Sequence, residues 1–285
     1  MLLLDRSWAR PCAILSVGVA LLLTPVHAAK ADPTAYEVNA FTDLFGTVDL
    51  TTGVFTQTAV LPFTASGLGE VGSNLYTTVF AGGGAPNALT FYRINPGNGA
   101  LTTIGNTGLA GREYLALGST LSGIYALDDS FNLYSIDPAT GVATLIGPTG
   151  LSPNPAYQLS TGSSVLYFGN ANELYSLNTS TGAPTDIGPT LLSGDGVDGL
   201  VFEDGTLYAG YAAAGSFPPS LIYSLDAGTG AATFIAAQDP AVGLVYGLAP
   251  PIPEPSSLAV LGVALSALAA LRRRFLAWRA LPLEQ

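Results

Sequence analysis

Leu133-Tyr134-Ser135-Ile136-Asp137-Pro138-Ala139-Thr140-Gly141, followed by Val142 to Ile146, is the stretch that decides the fold. An Asp side chain can accept a hydrogen bond from backbone two residues on, Pro suits the next turn position, and a closing Gly adopts positive φ at no steric cost. Apolar residues alternate on both sides of this turn, with Thr144 between apolar neighbours, so the stretch reads as a β-hairpin. The same form recurs at Phe45 to Gly53, Phe91 to Gly99, Leu174 to Gly182 and Ile222 to Gly230. The closing glycines, Gly53, Gly99, Gly141, Gly182 and Gly230, are spaced 46, 42, 41 and 48 residues apart. A period near 45 residues is that of a repeated β-unit, each copy burying its faces against its neighbours.

Two further strands are expected before each hairpin, as in Gly199 to Phe202 and Thr206 to Ala209 around Glu203-Asp204-Gly205. Four strands per repeat is the blade of a β-propeller. The first repeat starts late, with Tyr36 to Phe41 as its second strand, and one strand, Gly243 to Leu248, is left over after the fifth. Pairing the two makes a composite blade and removes the open sheet edges that recruit other chains. The expected fold is therefore all-β, a five-bladed propeller closed by N- and C-terminal strands, in preference to an open solenoid or a sandwich. The repeat resembles that of secreted bacterial propellers, a structural signature that names no reaction.

The rest of the chain divides into an N-terminal segment, 1–31, the repeat domain, 32–250, and a tail, 251–285. Arg6 and Arg10 precede the apolar stretch from Ala13 to Leu23, Thr24-Pro25 ends it, and small residues offer cleavage after Ala28 or Ala31. This is the form of a secretory signal peptide. Its removal takes away the single Cys and the single His, Cys12 and His27. The mature chain then has no disulfide, no Cys or His nucleophile pair, and no zinc site of the usual ligand types.

From Asp32 to Pro251 there are 17 acidic side chains against Arg93 and Arg112, a net charge of −15. Such a surface repels nucleic acid and anionic lipid and tolerates divalent cations or neutral, hydroxyl-rich polymers.

In the tail, Pro253-Glu254-Pro255 precedes 14 uncharged residues, Leu258 to Leu271, and then Arg272-Arg273-Arg274. Each Pro restricts the residue before it to extended conformations, so a helix can start only after Pro255, where Ser256 and Ser257 suit an N-cap. The apolar run reaches about 21 Å as a helix, short of the ~20 residues of a full span. The arginines orient the segment with its C-terminus in the cytoplasm.

This order of tripeptide, short transmembrane helix and basic cluster resembles the PEP-CTERM sorting tail. The resemblance implies export, anchoring in the inner membrane, processing by an exosortase-type membrane protease, and residence at the cell surface or in an exopolysaccharide matrix. Pro253, Glu254, Pro255, Arg272, Arg273 and Arg274 would form the sorting signal.

Within the domain, Asp49, Asn95, Asp137, Asn178 and Asp226 are expected as turn formers, and Tyr92, Tyr134, Tyr175 and Tyr223 as packing residues between blades. Residues that break the repeat are the site candidates. One propeller face gathers Arg112, Glu113, Asp128, Asp129, Asp195, Asp198 and Asp239. Asp195 and Asp198, in the glycine-rich Gly194 to Gly199, read as a loop able to turn two carboxylates toward one Ca²⁺, although the spacing is not that of an EF-hand loop. No catalytic residue and no other cofactor is assigned. The expected role is binding or scaffolding at the cell surface, without nucleic acid. The alternatives are a carbohydrate-active enzyme using paired carboxylates, and an ice- or solid-surface-binding protein.

Overall fold

The computed structural model describes residues 32–80, 90–109, 115–151, 157–170, 172–192, 194–213 and 219–252. The signal segment, Arg112, Glu113 and the tail from Pro253, including the expected transmembrane helix, lie outside them. Among the described residues the protein is all-β, with one 3-10 turn at Pro240–Val242. No helix there is long and apolar enough to cross a membrane.

The strands fall into five antiparallel groups of four. β1 (Thr34–Ala40), β2 (Leu44–Asp49) and β3 (Phe55–Val60) are followed by β4 (Gly69–Val71), β5 (Asn74–Thr78), β6 (Thr90–Ile94) and β7 (Leu101–Asn106). Next come β8 (Leu115–Thr120), β9 (Gly123–Asp128), β10 (Asn132–Ile136) and β11 (Ala143–Pro148). β12 (Tyr157–Thr161), β13 (Leu166–Asn170), β14 (Glu173–Leu177) and β15 (Pro184–Pro189) form the fourth group. β16 (Gly194–Glu203), β17 (Thr206–Ala213), β18 (Ser220–Leu225) and β19 (Ala232–Ala237) form the fifth. The last strand, β20 (Leu244–Ala249), completes the first group in the order β20-β1-β2-β3, with Tyr36 opposite Ala249 and Ala40 opposite Leu244. The fourth and fifth groups merge into one eight-stranded sheet through a short parallel pairing of β12 with β16.

Each of the five hairpins closes as an Asx turn. Asp49 Oδ1 accepts from Thr51 N at 2.8 Å, Asn95 Oδ1 from Gly97 N at 2.9 Å, Asp137 Oδ1 from Ala139 N at 2.9 Å. Asn178 and Asp226 do the same toward Ser180 and Gly228. The closing glycines all have φ between 69° and 80°. The hydrogen bonds from Ala139 and Thr140 hold Asp137 below the ordinary carboxylate range, and those from Gly228 and Thr229 do so for Asp226. At Asp49, burial pushes upward but the hydrogen bonds from Thr51 and Thr52 win.

The Ile-Gly that ends most repeats has its own cause. Every outer strand carries a β-bulge at the same place, the extra residue being Thr58, Ile104, Ile146, Ile187 or Ile235. A bulge bends an edge strand away from regular pairing, which protects an otherwise open edge. The residue after the bulge then receives the next group's turn. A β-carbon on Gly147 would lie 2.5 Å from Thr181 O, and one on Gly188 2.5 Å from Thr229 O. The same contact joins Ala59 to Gly99, Gly105 to Thr140, and Ala236 to Gly53, the last linking the fifth group to the first.

Core packing repeats that circuit. Five groups in an open row share four interfaces. Here Val38 and Phe45 pack with Leu68, Leu75 and Ile94, between the first and second groups. Phe91 packs with Leu117 and Ile124, Leu127 and Leu133 with Leu159 and Phe168, and Leu174 with Val197 and Leu207. A further cluster sets Ala35, Val48 and Leu50 against Val201, Tyr208 and Ile222, so the last group packs on the first. Burying one Phe such as Phe45, Phe91 or Phe168 contributes about 1.5–3 kcal/mol. The sequential first strands meet too: Gly67 bridges Leu117, Thr120 bridges Ser163, and Gly199 and Gly247 give β20 room against β16 and against Gly67.

Candidate functional site

Three further bulges lie on two neighbouring inner strands. The pairing of β16 with β17 skips Asp195 and then Asp198, and the pairing of β20 with β1 skips Tyr246. β4, β8 and β12 themselves pair without a shift, although Ala65, ahead of β4, meets Val79 one residue out of the β4–β5 register. Bulges re-aim side chains and are concentrated near functional sites. Gly194 to Gly199, expected as a loop, is therefore strand, and its glycines serve the two bulges: Gly196 has φ 138°. On β20 the ladder break frees Val245 N, which donates to Ser220 Oγ at 2.9 Å.

Asp198 is 8% exposed and lies near Tyr246. Burial, and then the Asp198 charge, pushes the Tyr246 hydroxyl above its ordinary value, so the phenol stays neutral at any physiological pH. The Tyr246 ring meets Phe80 edge to face, centroids 5.7 Å apart. Gln158, from β12, donates to Tyr246 O at 2.8 Å and to Ser66 O at 3.4 Å, tying three inner segments together. This constellation is a carboxylate, a neutral phenol and an aromatic edge. Groups of these kinds accept hydrogen bonds from hydroxyls and give apolar ring surface.

Other expected acids serve turns. Asp128 is wholly buried and accepts from Ser130 N, Asn132 N and Tyr134 Oη, which makes it the organiser of the β9–β10 turn. Asp239 caps the 3-10 turn through Ala241 N. Asp129 is exposed in the same turn as Asp128. Of the repeated tyrosines, expected between blades, Tyr175 meets Phe168 and Tyr223 meets Tyr211 and Phe234 on strands of their own groups, Tyr92 packs on Phe63, and Tyr134 donates to Asp128. Among the described residues no group of three or more His, Cys, Asp or Glu is placed to hold a metal ion.

Two features escaped the sequence reading. Glu37 is fully buried between the first and fifth groups, accepting from Asn39 Nδ2 at 2.6 Å and Gln238 Nε2 at 2.7 Å. Burial, opposed by those two hydrogen bonds, pushes its carboxyl up to about 7. Asn39 Oδ1 and Gln238 Oε1 have no partner among the described residues. The signal for this cluster was a Glu and an Asn two apart in an otherwise apolar strand.

The second is Leu191, which is 81% exposed with φ 59° where the matching turns have Gly108 and Gly150 at φ 77° and 71°. An L-residue there costs roughly 1–2 kcal/mol. Leu191→Gly is expected to raise stability by up to about 1 kcal/mol after the extra chain entropy of Gly, read from urea melts. No gain would mean the turn relaxes without strain.

The tail has its own match. A family model described as the PEP-CTERM protein-sorting motif covers residues 251–274. The chain carries a PEP-CTERM sorting motif. That motif implies an exported PEP-CTERM protein, anchored in the membrane before an exosortase-type membrane protein processes it. No curated protein matches this PEP-CTERM chain. A solved structure described as "Crystal structure of Nidogen/Laminin Complex" is similar over 76% of this chain and 97% of that one, at 11% identity and a TM-score of 0.48.

Proposed function

We propose that this PEP-CTERM protein is a five-bladed β-propeller, closed by β20 on β1, that binds hydroxyl-rich polymer through the mouth around Asp195, Asp198 and Tyr246. The five interfaces in circuit support the propeller reading. The observation that carries the binding reading is the concentration of three bulges on two adjacent first strands, β16 and β20. A regular inner strand needs none, and the cost of breaking its ladder has a use if the skipped residues meet a ligand. Neutral glycan fits the chemistry. Its hydroxyls donate to carboxylates, its apolar faces lie on aromatic rings, and it escapes the repulsion that a −15 domain exerts on nucleic acid. The setting is the cell surface or an exopolysaccharide matrix, reached through the signal segment 1–31 and the sorting signal at Pro253, Glu254, Pro255 and Arg272 to Arg274. The role is scaffolding, with no reaction assigned.

A glycan array on the processed protein, repeated with Asp198→Asn and Tyr246→Phe, tests this. Binding that falls at least tenfold in both variants, with melting temperatures within a few degrees of the parent, is the expected result. Retention of full binding by both variants would remove the mouth from the account. Adding Ca²⁺ to the same samples decides how the carboxylates act. A rise in melting temperature abolished by Asp195→Asn or Asp198→Asn assigns them to a shared cation, and no rise leaves them as direct acceptors.

A further inference from the structure

The direction of β20 fixes which end of the domain the tail leaves from. Leu244 lies opposite Ala40, beside the β1–β2 turn, and Ala249 lies opposite Tyr36, toward the end where Thr34 pairs with Asp49 of the first Asx turn. Antiparallel pairing then places all five Asx turns at the end where β20 finishes, and Asp195, Asp198 and Tyr246 toward the end where it begins. After β20 the chain does not leave the domain at once. The Pro250 ring lies against Gly162 in the β12–β13 turn, where a β-carbon would come within 3.0 Å of it. Ile252, 8% exposed, is packed in the core between the first and second groups with Leu75 and Ile94.

The sorting motif starts at residue 251. Core and sorting motif therefore overlap by two residues, with no spacer between them. Five residues, 253–257, separate Ile252 from the apolar run beginning at Leu258. Fully extended they reach at most about 18 Å, and the headgroup layer alone takes up roughly 5–8 Å of that. The far end of a six-residue inner strand is about 20 Å farther away.

We propose that in the anchored precursor the Asx-turn end of the domain rests against the bilayer headgroups, so that the mouth faces away from the membrane. The orientation is imposed by the short tether and not by adhesion. Asp49, Asp137 and Asp226 stand at that end as ionised carboxylates, and Arg93 is the one basic side chain among the described residues. Such an end has no attraction for anionic lipid. Processing therefore frees the domain with its mouth already unobstructed. This inference rests on the sorting motif and on the course of β20, and it stands or falls independently of what the mouth binds.

The absence of Cys outside position 12 makes the test clean. The full chain carrying Cys12→Ser receives one cysteine at the Asx-turn end, Ala139→Cys or Ser180→Cys, or one at the mouth end, Asp129→Cys or Leu191→Cys. Each is labelled with a small fluorophore and reconstituted into phosphatidylethanolamine–phosphatidylglycerol vesicles containing a headgroup-attached quencher lipid. Quenching at 139 and 180 at least twofold stronger than at 129 and 191 is expected. A flexible Gly/Ser insert of twenty residues between Ile252 and Pro253, adding about 25 Å of r.m.s. reach, is expected to bring the four positions to equal quenching. Equal quenching without the insert, or a bias that the insert leaves unchanged, would overturn the proposal.

Discussion

Gly247→Val is expected to remove a large share of the folded domain's stability. A β-carbon at Gly247 would lie 2.7 Å from Gly67 Cα and 2.7 Å from Leu68 N, both backbone atoms of the segment leading into β4. No side chain can rotate aside to make room, so relief requires moving β20 off β1 or opening the contact between the first strands. Overpacking of a well-packed core already costs typically 1–3 kcal/mol, and a clash with backbone at a closure point adds lost pairing along β20. The expected loss exceeds about 4 kcal/mol, a large share of a domain's 5–15 kcal/mol. Soluble yield and urea midpoint report it. Gly72→Val, at a turn glycine with nothing within 4 Å of a β-carbon but φ 65°, serves as the comparison and should cost only the backbone strain. A Gly247→Val protein with the parent's midpoint would show that the inner strands are not in close contact.

The second large effect is a dependence of stability on pH that runs through one residue. Glu37 has its ordinary value of 4.5 in the unfolded chain and about 7 in the folded one. Below pH 4.5 both states hold the proton and the stability is complete. Between 4.5 and 7 the unfolded chain releases the proton and the folded one keeps it, so stability falls as pH rises. Above 7 the loss is full, on the order of 3 kcal/mol for a group this buried. Asp49, Asp137 and Asp226, held below their ordinary range, act in the opposite sense and only at pH values below about 4. Glu37→Gln keeps the shape and removes the titration. Its urea stability should be nearly flat from pH 5 to pH 8, and should exceed the parent's at pH 8. A parent whose stability is itself flat over that interval would contradict the burial of this carboxyl.

The two residues also mark where sequence reasoning stopped. The five hairpins were legible because an Asx turn leaves a fixed signature: the Asx, the closing Gly, and alternation on either side. The surplus strand Gly243 to Leu248 was legible by counting, and it pairs with β1. Bulges have no such signature, since one extra residue in a ladder preserves the local composition. Asp195 and Asp198 were singled out by their glycines and placed in a loop, yet they lie in β16 because glycine permits a bulge as readily as a turn. Tyr246 lies inside the surplus strand, with nothing in its neighbours to mark a bulge. Glu37 sits in a segment whose alternation marks the strand but not which interface it faces, so its burial depended on the fifth group returning to the first.

The account's central claim is that circuit, with β20 as an integral strand of the first group. Native-state hydrogen exchange measures it most directly, because β20 is the last strand and would be the first to fray if it were an appendage. The amides of Leu244 to Ala249 are expected to exchange as slowly as those of β9 and β10, with a free energy close to that of global unfolding. Exchange of β20 orders of magnitude faster than β9 and β10 in the native protein would contradict the closed arrangement and the position of the mouth with it.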